Sequence, residues 1–182
     1  GYVKVYHKQL EELLTNYGEL FEVWFDGANG GDGYYGGARE KRSINASVYY
    51  EWDKVHALVR KYQPDACIFS DVGPELRWVG NEDGIAAENS FATFTPIPRF
   101  GDGAAAPGNA ITSSSGTGHP DGKCWMPAEC DVPLRPGWFY HPAEDNAVKS
   151  PEQLLDIYMK SVGRGGALNL GIAPDRRGLI HE

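Results

Sequence analysis

The chain has 182 residues with a formal net charge of −8 at pH 7, and 41% of its residues are hydrophobic while 23% are charged. This length can bury a sizeable core and predicts one domain over residues 1–182. The acidic balance, without a run of Lys or Arg, excludes nucleic acid and a membrane surface as expected partners, and no apolar stretch reaches the roughly 18 residues of a membrane span.

The first predicted elements are a helix and a strand. Apolar residues at helical spacing predict an amphipathic helix over residues 8–17, closed by Gly18. Its apolar positions are Leu10, Leu13, Leu14 and Tyr17. The run 21–26 follows, and because large side chains alternate on both of its sides, it is predicted to be a strand buried on both faces.

This strand ends in Asp26, which is followed by a glycine-rich stretch predicted to be a long loop over residues 27–46. In parallel α/β folds the chemistry lies at the carboxyl ends of the strands, so Asp26 is a candidate catalytic residue. An alternative is that Asp26 only caps the turn before Gly27.

The middle of the chain repeats this order. Ser47 is the predicted cap of a second helix that continues to Tyr62, where Gln63-Pro64 ends it. Its predicted apolar stripe is Val48, Trp52, Val55, Val59 and Tyr62. Residues 66–70 are predicted to form another buried strand, which ends at Asp71, and a short apolar piece after it leads to Glu82.

The last part of the chain begins with residues 101–122, which are rich in Gly, Ala, Ser and Pro and are predicted to be a surface loop. An irregular aromatic region follows. The capping box at Ser150 predicts a helix that ends at Gly163. Its predicted buried stripe is Leu154, Leu155, Tyr158, Met159 and Val162, and residues 167–172 are predicted to be the closing strand. Alternating helices and strands indicate a parallel α/β fold, which we interpret as an incomplete barrel.

The cysteines do not predict a disulfide framework or a metal site. Cys67, Cys124 and Cys130 are few and odd in number, and the last two have no pair of histidines to complete a zinc site. No metal or organic cofactor is expected.

Three motifs in order, at residues 24–28, 68–82 and 135–141, resemble those of glycoside hydrolase family 29, the α-L-fucosidases. The likeness runs from about residue 9 to Glu182. The resemblance implies a retaining hydrolase on a (β/α)8-like TIM barrel, of which this chain supplies the part from roughly the fourth strand onward. It also implies fucosylated oligosaccharides or glycoconjugates as substrates and a periplasmic or secreted location.

The resemblance implies a role for each matching side chain. Asp26 is the expected nucleophile and Glu82 the expected general acid/base, while Trp24, Arg77 and Trp138 are the expected substrate-binding residues. A retaining glycosidase needs two such carboxyl groups about 5 to 5.5 Å apart. The Gly-Asn-Glu form of the motif that ends at Glu82 resembles the subfamily that acts on α-1,3/1,4-linked fucose.

Other residues compete for these roles. Four further acids are candidates for the second carboxylate: Asp71, Glu75, Glu88 and Glu129. Glu82 is preferred because the motif places it. Arg77 has the alternative of an ion pair with Glu75 or Asp83, and His141 is expected to be structural.

The chain lacks a counterpart of the earlier barrel strands of the family and of the histidines that hold fucose in them. Its first strand therefore has a bare pairing edge, which we expect to be covered by a homodimer or by a complementing N-terminal barrel segment. The alternative functions are a non-catalytic carbohydrate-binding remnant of a fucosidase barrel and a purely structural fragment.

Overall fold

A computed structural model describes residues 1–26, 33–34, 41–42, 44–101 and 103–181. Most of the predicted loop 27–46 and Asp102 of the predicted loop 101–122 lie outside these residues. The helices and strands within the described ranges are, in order, α1 (Tyr2–Asn16), β1 (Glu22–Trp24), β2 (Gly33–Tyr34), β3 (Lys41–Arg42), α2 (Ala46–Tyr49), α3 (Trp52–Tyr62), β4 (Cys67–Ser70), β5 (Leu76–Trp78), β6 (Thr93–Phe94), β7 (Cys124–Trp125), β8 (Ala128–Pro133), α4 (Pro151–Ser161) and β9 (Ala167–Gly171).

The main sheet has the strand order β1-β4-β5-β8-β9. The pairs β1/β4, β5/β8 and β8/β9 are parallel, as the alternation of helices and strands predicts. The α/β fold is therefore confirmed, and the sheet is consistent with part of an α/β barrel. The strand β8 is a difference from the sequence prediction, which had only an irregular aromatic region there.

The chain divides into two compact units. The first comprises Gly1–Leu76 and Pro96–Ile111, and the second comprises Arg77–Thr95 and Thr112–Glu182. The division falls within β5. In the first unit α1 and α3 pack on β1 and β4 around a core of Leu10, Leu14, Val23, Trp52, Val55, Val59, Ala66 and Ile68.

A buried glutamine ties the ends of these elements together. The Gln63 amide donates to the backbone oxygens of Leu14 at 2.7 Å and Gly18 at 2.8 Å, while its oxygen accepts from the Leu20 amide at 3.0 Å. These bonds satisfy carbonyls at and beyond the end of α1 that have no partner within the helix. Gln63 therefore holds the turn between α1 and β1.

The predicted helix from Ser47 to Tyr62 is two helices. Glu51 lies between them with a positive φ of 55°, which interrupts regular helical backbone. The cap of α2 is Asn45, whose side chain accepts a hydrogen bond from the Ser47 amide. The predicted cap was therefore wrong by two residues, and Val48, which was assigned to the apolar stripe, is exposed.

The prediction that residues 21–26 are buried on both faces is also wrong. Phe21 is 83% exposed and lies before β1, whereas Val23 is buried. Because β1 has only one neighbouring strand, β4, one of its edges is free of strand partners within the described residues. The apolar pattern of the sequence cannot distinguish a central strand from an edge strand.

In the second unit, α4 begins with the predicted capping box of Ser150 and Gln153. Its buried positions are Ile157 and Ser161, whereas most of the predicted stripe faces solvent. The exposed members are Leu155, Tyr158, Met159 and Val162. Two overlapping stripes satisfy helical spacing here, and only packing against the sheet selects one of them.

Residues 101–122 are not wholly a surface loop. In the first unit the buried Asn109 donates to Ser47 Oγ at 2.7 Å and accepts from the Phe100 amide at 2.9 Å. In the second unit Ser115 is fully buried. None of the described helices combines the length and apolarity that crossing a bilayer requires.

Candidate active site

The second unit has a sheet with one polar face. Trp78 on β5 is the register partner of Glu129 on β8, and Asp131 is the partner of Asn169 on β9. Partners in register point to the same side of a sheet, as do residues two apart on one strand. These four side chains therefore share a face, and the opposite face carries Ala128, Cys130 and Leu168 in the apolar core.

Asp131 is a buried acid on this face, as is Glu129. It is 5% exposed, and its Oδ1 accepts a 2.7 Å hydrogen bond from Trp78 Nε1. Burial raises the pKa of Asp131, the Trp78 hydrogen bond opposes that rise, and the charges of Glu82 and Glu129 add to it. Asp131 is therefore a buried acid that the Trp78 indole holds on the polar face.

Glu82 lies beyond β5 in a turn built by Asn81. The Asn81 side chain accepts from the Asp83 amide at 3.0 Å and donates to the Ile85 carbonyl at 2.9 Å. The Glu82 carboxylate is exposed, and its Oε2 accepts a 3.0 Å hydrogen bond from Trp138 Nε1.

The indole ring of Trp138 lies against Gly171 at the end of β9. A Cβ atom at Gly171 would come within 2.8 Å of Trp138 Cζ3, so a larger residue would displace the ring. The structure thus brings two predicted site residues, Glu82 and Trp138, into direct contact.

The sequence analysis missed Asp131 because it missed β8. Residues 128–132 alternate apolar and acidic side chains, a period of two that is typical of a strand with one polar face. Glu129, one of the four competing acids, is 3% exposed and accepts a 3.2 Å hydrogen bond from Asn169 Nδ2. Its burial is more typical of a supporting residue than of an acid that must reach a substrate.

Arg77 is not placed as expected. It is fully buried, and its guanidinium donates to the backbone carbonyls of Ser115, Phe91 and Met126. The guanidinium carbon of Arg77 lies 5.0 Å from the centroid of the Phe94 ring. Because each of its three nitrogens donates to a backbone carbonyl inside the unit, Arg77 supports loops and is unavailable to a sugar. The alternative ion pair is not formed either: Glu75 pairs with Arg60, and none of the ion pairs among the described residues joins Arg77 to Glu75 or Asp83.

In the first unit, Trp24 stacks on Phe69 of β4 with ring centroids 4.3 Å apart and planes 4° apart. The two residues are register partners, so this aromatic pair covers one face of the β1/β4 pair, while Val23 and Ile68 lie in the core on the other face. Asp26 is exposed just beyond the carboxyl end of β1.

The rival acid Asp71 in the same unit holds a loop. Its two carboxylate oxygens accept from the Gly108 amide at 3.3 and 3.0 Å. Burial raises the pKa of Asp71, and this backbone hydrogen bond lowers it. Across the described ranges, no three His, Cys, Asp or Glu side chains are grouped so as to bind a metal ion.

The chain matches known proteins over its whole length. The family model described as alpha-L-fucosidase matches residues 1–182. Alpha-L-fucosidase 1 of Arabidopsis thaliana is 42% identical over 181 residues, which is 100% of this chain and 32% of that protein. A protein of Oryza sativa subsp. japonica is 41% identical over 180 residues, 99% of this chain and 31% of that one.

Solved structures agree with these matches. A glycoside hydrolase 29 family member from an unknown rumen bacterium has a TM-score of 0.83 and 43% sequence identity, covering 99% of this chain and 31% of its own. The chain therefore spans about a third of the length of the relatives that it matches.

Proposed function

Because the chain belongs to the alpha-L-fucosidase family, we propose that it carries the catalytic carboxylates of a retaining hydrolase that releases α-L-fucose from fucosylated glycans. The match along all 182 residues supports a fucose-releasing hydrolase. The contact between Glu82 and Trp138 is the observation that carries the assignment of residues, since it joins two motifs that the sequence separates by 56 positions.

In this proposal Asp26 is the nucleophile and Glu82 is the general acid/base. Asp26 attacks the anomeric carbon while Glu82 gives its proton to the departing glycosidic oxygen. The first step breaks the glycosidic bond and leaves fucose covalently bound to Asp26. Water then attacks the anomeric carbon and gives a proton to Glu82, the bond to Asp26 breaks, and fucose is released. The exposure of both carboxylates suits groups that must contact a substrate.

Trp24 and Trp138 are the proposed aromatic walls of the sugar site. Both rings are fixed by a neighbour, Phe69 for Trp24 and Gly171 for Trp138, and both stay partly exposed. A rigid, half-exposed aromatic face suits the apolar side of a sugar ring. Arg77 is left out of the proposed set because its donors are used inside the unit.

We further propose a preference for α-1,3/1,4-linked fucose, which rests on the Gly80-Asn81-Glu82 sequence. The two hydrogen bonds of Asn81 set the path of the turn that presents Glu82, so this side chain supports the motif. Parallel assays on α-1,2-, α-1,3- and α-1,4-linked fucosides test the preference. Faster release from the α-1,2 linkage would contradict it.

The experiment that tests the catalytic roles is turnover of an aryl α-L-fucoside by Asp26→Ala and Glu82→Ala. Both variants should lose more than about a hundredfold in kcat/KM, and azide should restore turnover to Asp26→Ala as a β-fucosyl azide. The matched control is Asp71→Asn, the acid that follows the neighbouring strand β4. Binding of fucose without turnover by the unmodified chain would instead support the carbohydrate-binding alternative.

A complementing barrel segment is the proposed partner. Among the described residues β1 is the terminal strand at one end of the sheet order, and the exposed Leu13 of α1 and Tyr17 directly after it line a cavity together with β1. At the other end, α4 packs beside β9 and carries the exposed stripe Leu155, Tyr158, Met159 and Val162. One of these apolar surfaces lies at each end of the strand order, beside β1 and beside β9. A twofold dimer would bury a single self-complementary patch and would leave the other surface exposed. The barrel strands that precede this part in a longer relative would contact both apolar surfaces.

Sedimentation of the chain alone and with the purified amino-terminal barrel segment of a relative tests this partner. A one-to-one complex that Leu155→Asp weakens is the expected result. A homodimer that excludes the added segment would overturn the proposal and favour the dimer.

A further inference from the structure

Three side chains in the second unit converge on the carboxylate of Asp145. Arg135 Nη1 forms an ion pair with Asp145 Oδ1 at 2.8 Å. His181 Nε2 and the Tyr140 hydroxyl oxygen each lie 3.5 Å from the other oxygen, Oδ2. The Tyr140 ring contacts both neighbours, since its centroid lies 4.7 Å from the Arg135 guanidinium carbon and 5.6 Å from the centroid of the His181 ring. We call these four residues the Asp145 cluster, and the proposed mechanism gives none of them a task.

The Asp145 cluster closes the loop that carries Trp138. Arg135 and Asp145 stand at the two ends of the segment 135–145, and Trp138, whose indole N–H donates to Glu82 at 3.0 Å, lies between them. Arg135 is only 6% exposed, so its charge needs a partner inside the unit, and Asp145 supplies it. Because the ion pair joins the ends of the segment, it restricts the conformations that the chain between them can adopt.

The base of this loop is fixed to the sheet by hydrogen bonds. The Leu134 amide donates to the Gly171 carbonyl at 2.9 Å, and the Lys149 amide donates to the Leu134 carbonyl at 3.0 Å. Lys149 Nζ also donates to the Pro133 carbonyl at 2.6 Å. Gly171 is also the residue against which the Trp138 ring lies, so the loop base and the ring are supported at the same end of β9. The Asp145 cluster holds the part of the loop beyond this base.

The fourth member of the cluster comes from the segment that follows β9. A turn in this segment is held by Asp175, whose amide donates to the Leu179 carbonyl at 2.8 Å and whose side chain accepts from the Arg177 amide at 2.7 Å. His181 lies two residues beyond the turn and stacks on Tyr140. The cluster therefore joins the loop after β8 to the segment after β9.

We infer that Asp145 is a positioning residue of the proposed reaction: as the centre of its cluster, it holds the loop in the conformation in which Trp138 donates to Glu82. The inference rests on the proposed function of Glu82 and Trp138. Asp145 does not contact the reacting atoms in this scheme and acts through Trp138 alone.

The kinetic test is a double-mutant cycle between Asp145→Asn and Trp138→Phe, measured as kcat/KM for an aryl α-L-fucoside. Asp145→Asn alone should lower kcat/KM about fivefold, mainly through kcat, and Asp145→Glu, which keeps the charge, should recover most of the loss. In the Trp138→Phe background, Asp145→Asn should change kcat/KM by less than about twofold, because the N–H through which it acts is already absent. Asp156→Asn, which removes an exposed acid on α4, is the matched control and should leave the rate unchanged.

The second readout is the indole N–H resonance of Trp138 in NMR spectra of the ¹⁵N-labelled chain, assigned by its loss in Trp138→Phe. A hydrogen bond to a carboxylate shifts this proton downfield, so the resonance should move upfield in Glu82→Gln and in Asp145→Asn but not in Asp156→Asn. His181→Gln, which leaves the ion pair of Asp145 intact, should move it in the same direction by a smaller amount.

Equal losses from Asp145→Asn in both backgrounds of the cycle overturn the inference. So does a Trp138 resonance that stays in place in Asp145→Asn or, if that variant does not fold, in His181→Gln. The NMR result does not depend on turnover. A resonance that moves as expected in a chain that does not hydrolyse fucosides counts against the proposed function alone, and hydrolysis with an unmoved resonance counts against this inference alone.

Discussion

Trp138 donates its indole N–H to Glu82 while its ring lies against Gly171, so one side chain both orients the candidate acid and lines its surroundings. The hydrogen bond joins the turn after β5 to the loop after β8. Phenylalanine keeps a ring at this position but has no N–H to donate.

We therefore expect Trp138→Phe to lower kcat/KM for an aryl fucoside about tenfold, because one hydrogen bond to a carboxylate contributes on the order of 1.5 kcal/mol. Trp125→Phe, on the exposed strand β7, is the matched control and should retain full activity. Equal rates for the two variants would show that the indole N–H does not orient Glu82.

Arg77 should be a major contributor to stability. Arg77→Met keeps most of the side-chain volume but leaves three backbone carbonyls, two of them in buried hydrogen bonds, without their donor. We therefore expect the free energy of unfolding in urea to fall by about 3 to 5 kcal/mol. The exposed Arg176→Met is the control and should change it by less than about 0.5 kcal/mol. A small loss at Arg77 would mean that water replaces the guanidinium.

Gly84, two residues beyond Glu82, should not tolerate a side chain. Its φ is +73°, and an added Cβ would come within 2.8 Å of both Ile157 and Val132. Gly84→Ala therefore combines backbone strain with overpacking, and we expect a loss of about 2 to 4 kcal/mol in unfolding free energy. Gly178→Ala has a φ of +76° and open space around it, so it should lose only about 1 kcal/mol. Similar losses for the two variants would mean that the contacts with α4 and β8 relax freely.

Cysteine reactivity should report the integrity of β8. Burial, together with the charges of the neighbouring Asp131 and Glu129, raises the pKa of the Cys130 thiol to about 11. The thiolate is the reactive form, so at pH 8 iodoacetamide should modify the exposed Cys124 while Cys130 stays unmodified by mass spectrometry. In urea Cys130 should react as well. Modification of Cys130 at pH 8 without denaturant would show that β8 opens.

The sequence predicted much of the helical frame and some of the site. The capping box at Ser150 and the strand ending at Ser70 were correct because they depend on local chemistry, namely reciprocal hydrogen bonds and a run of apolar residues. Glu82 and Trp138 were named through a resemblance. Their mutual contact could not be predicted, because it depends on how β5, β8 and β9 pair.

The errors share a cause. Helical spacing on α4 allowed two stripes, and the sheet selected the one containing Ile157. The apolar run at residues 21–26 predicted burial on both faces, although Phe21 lies before β1 and is exposed. Arg77 was expected in the sugar site through the resemblance, and the alternative was an ion pair with an acid, Glu75 or Asp83. Three backbone carbonyls took the place of that acid, and such partners leave no pattern in the sequence.

The two-sided character of β8 has a consequence for how this chain can vary. Substitutions along β8 change one side chain at a time, but inserting or deleting one residue would turn Glu129 and Asp131 into the apolar interior and expose Cys130. The strand can therefore be altered in composition far more readily than in length. Libraries that aim to change the specificity of this protein should randomise identities along β8 and confine insertions to the loops that follow it.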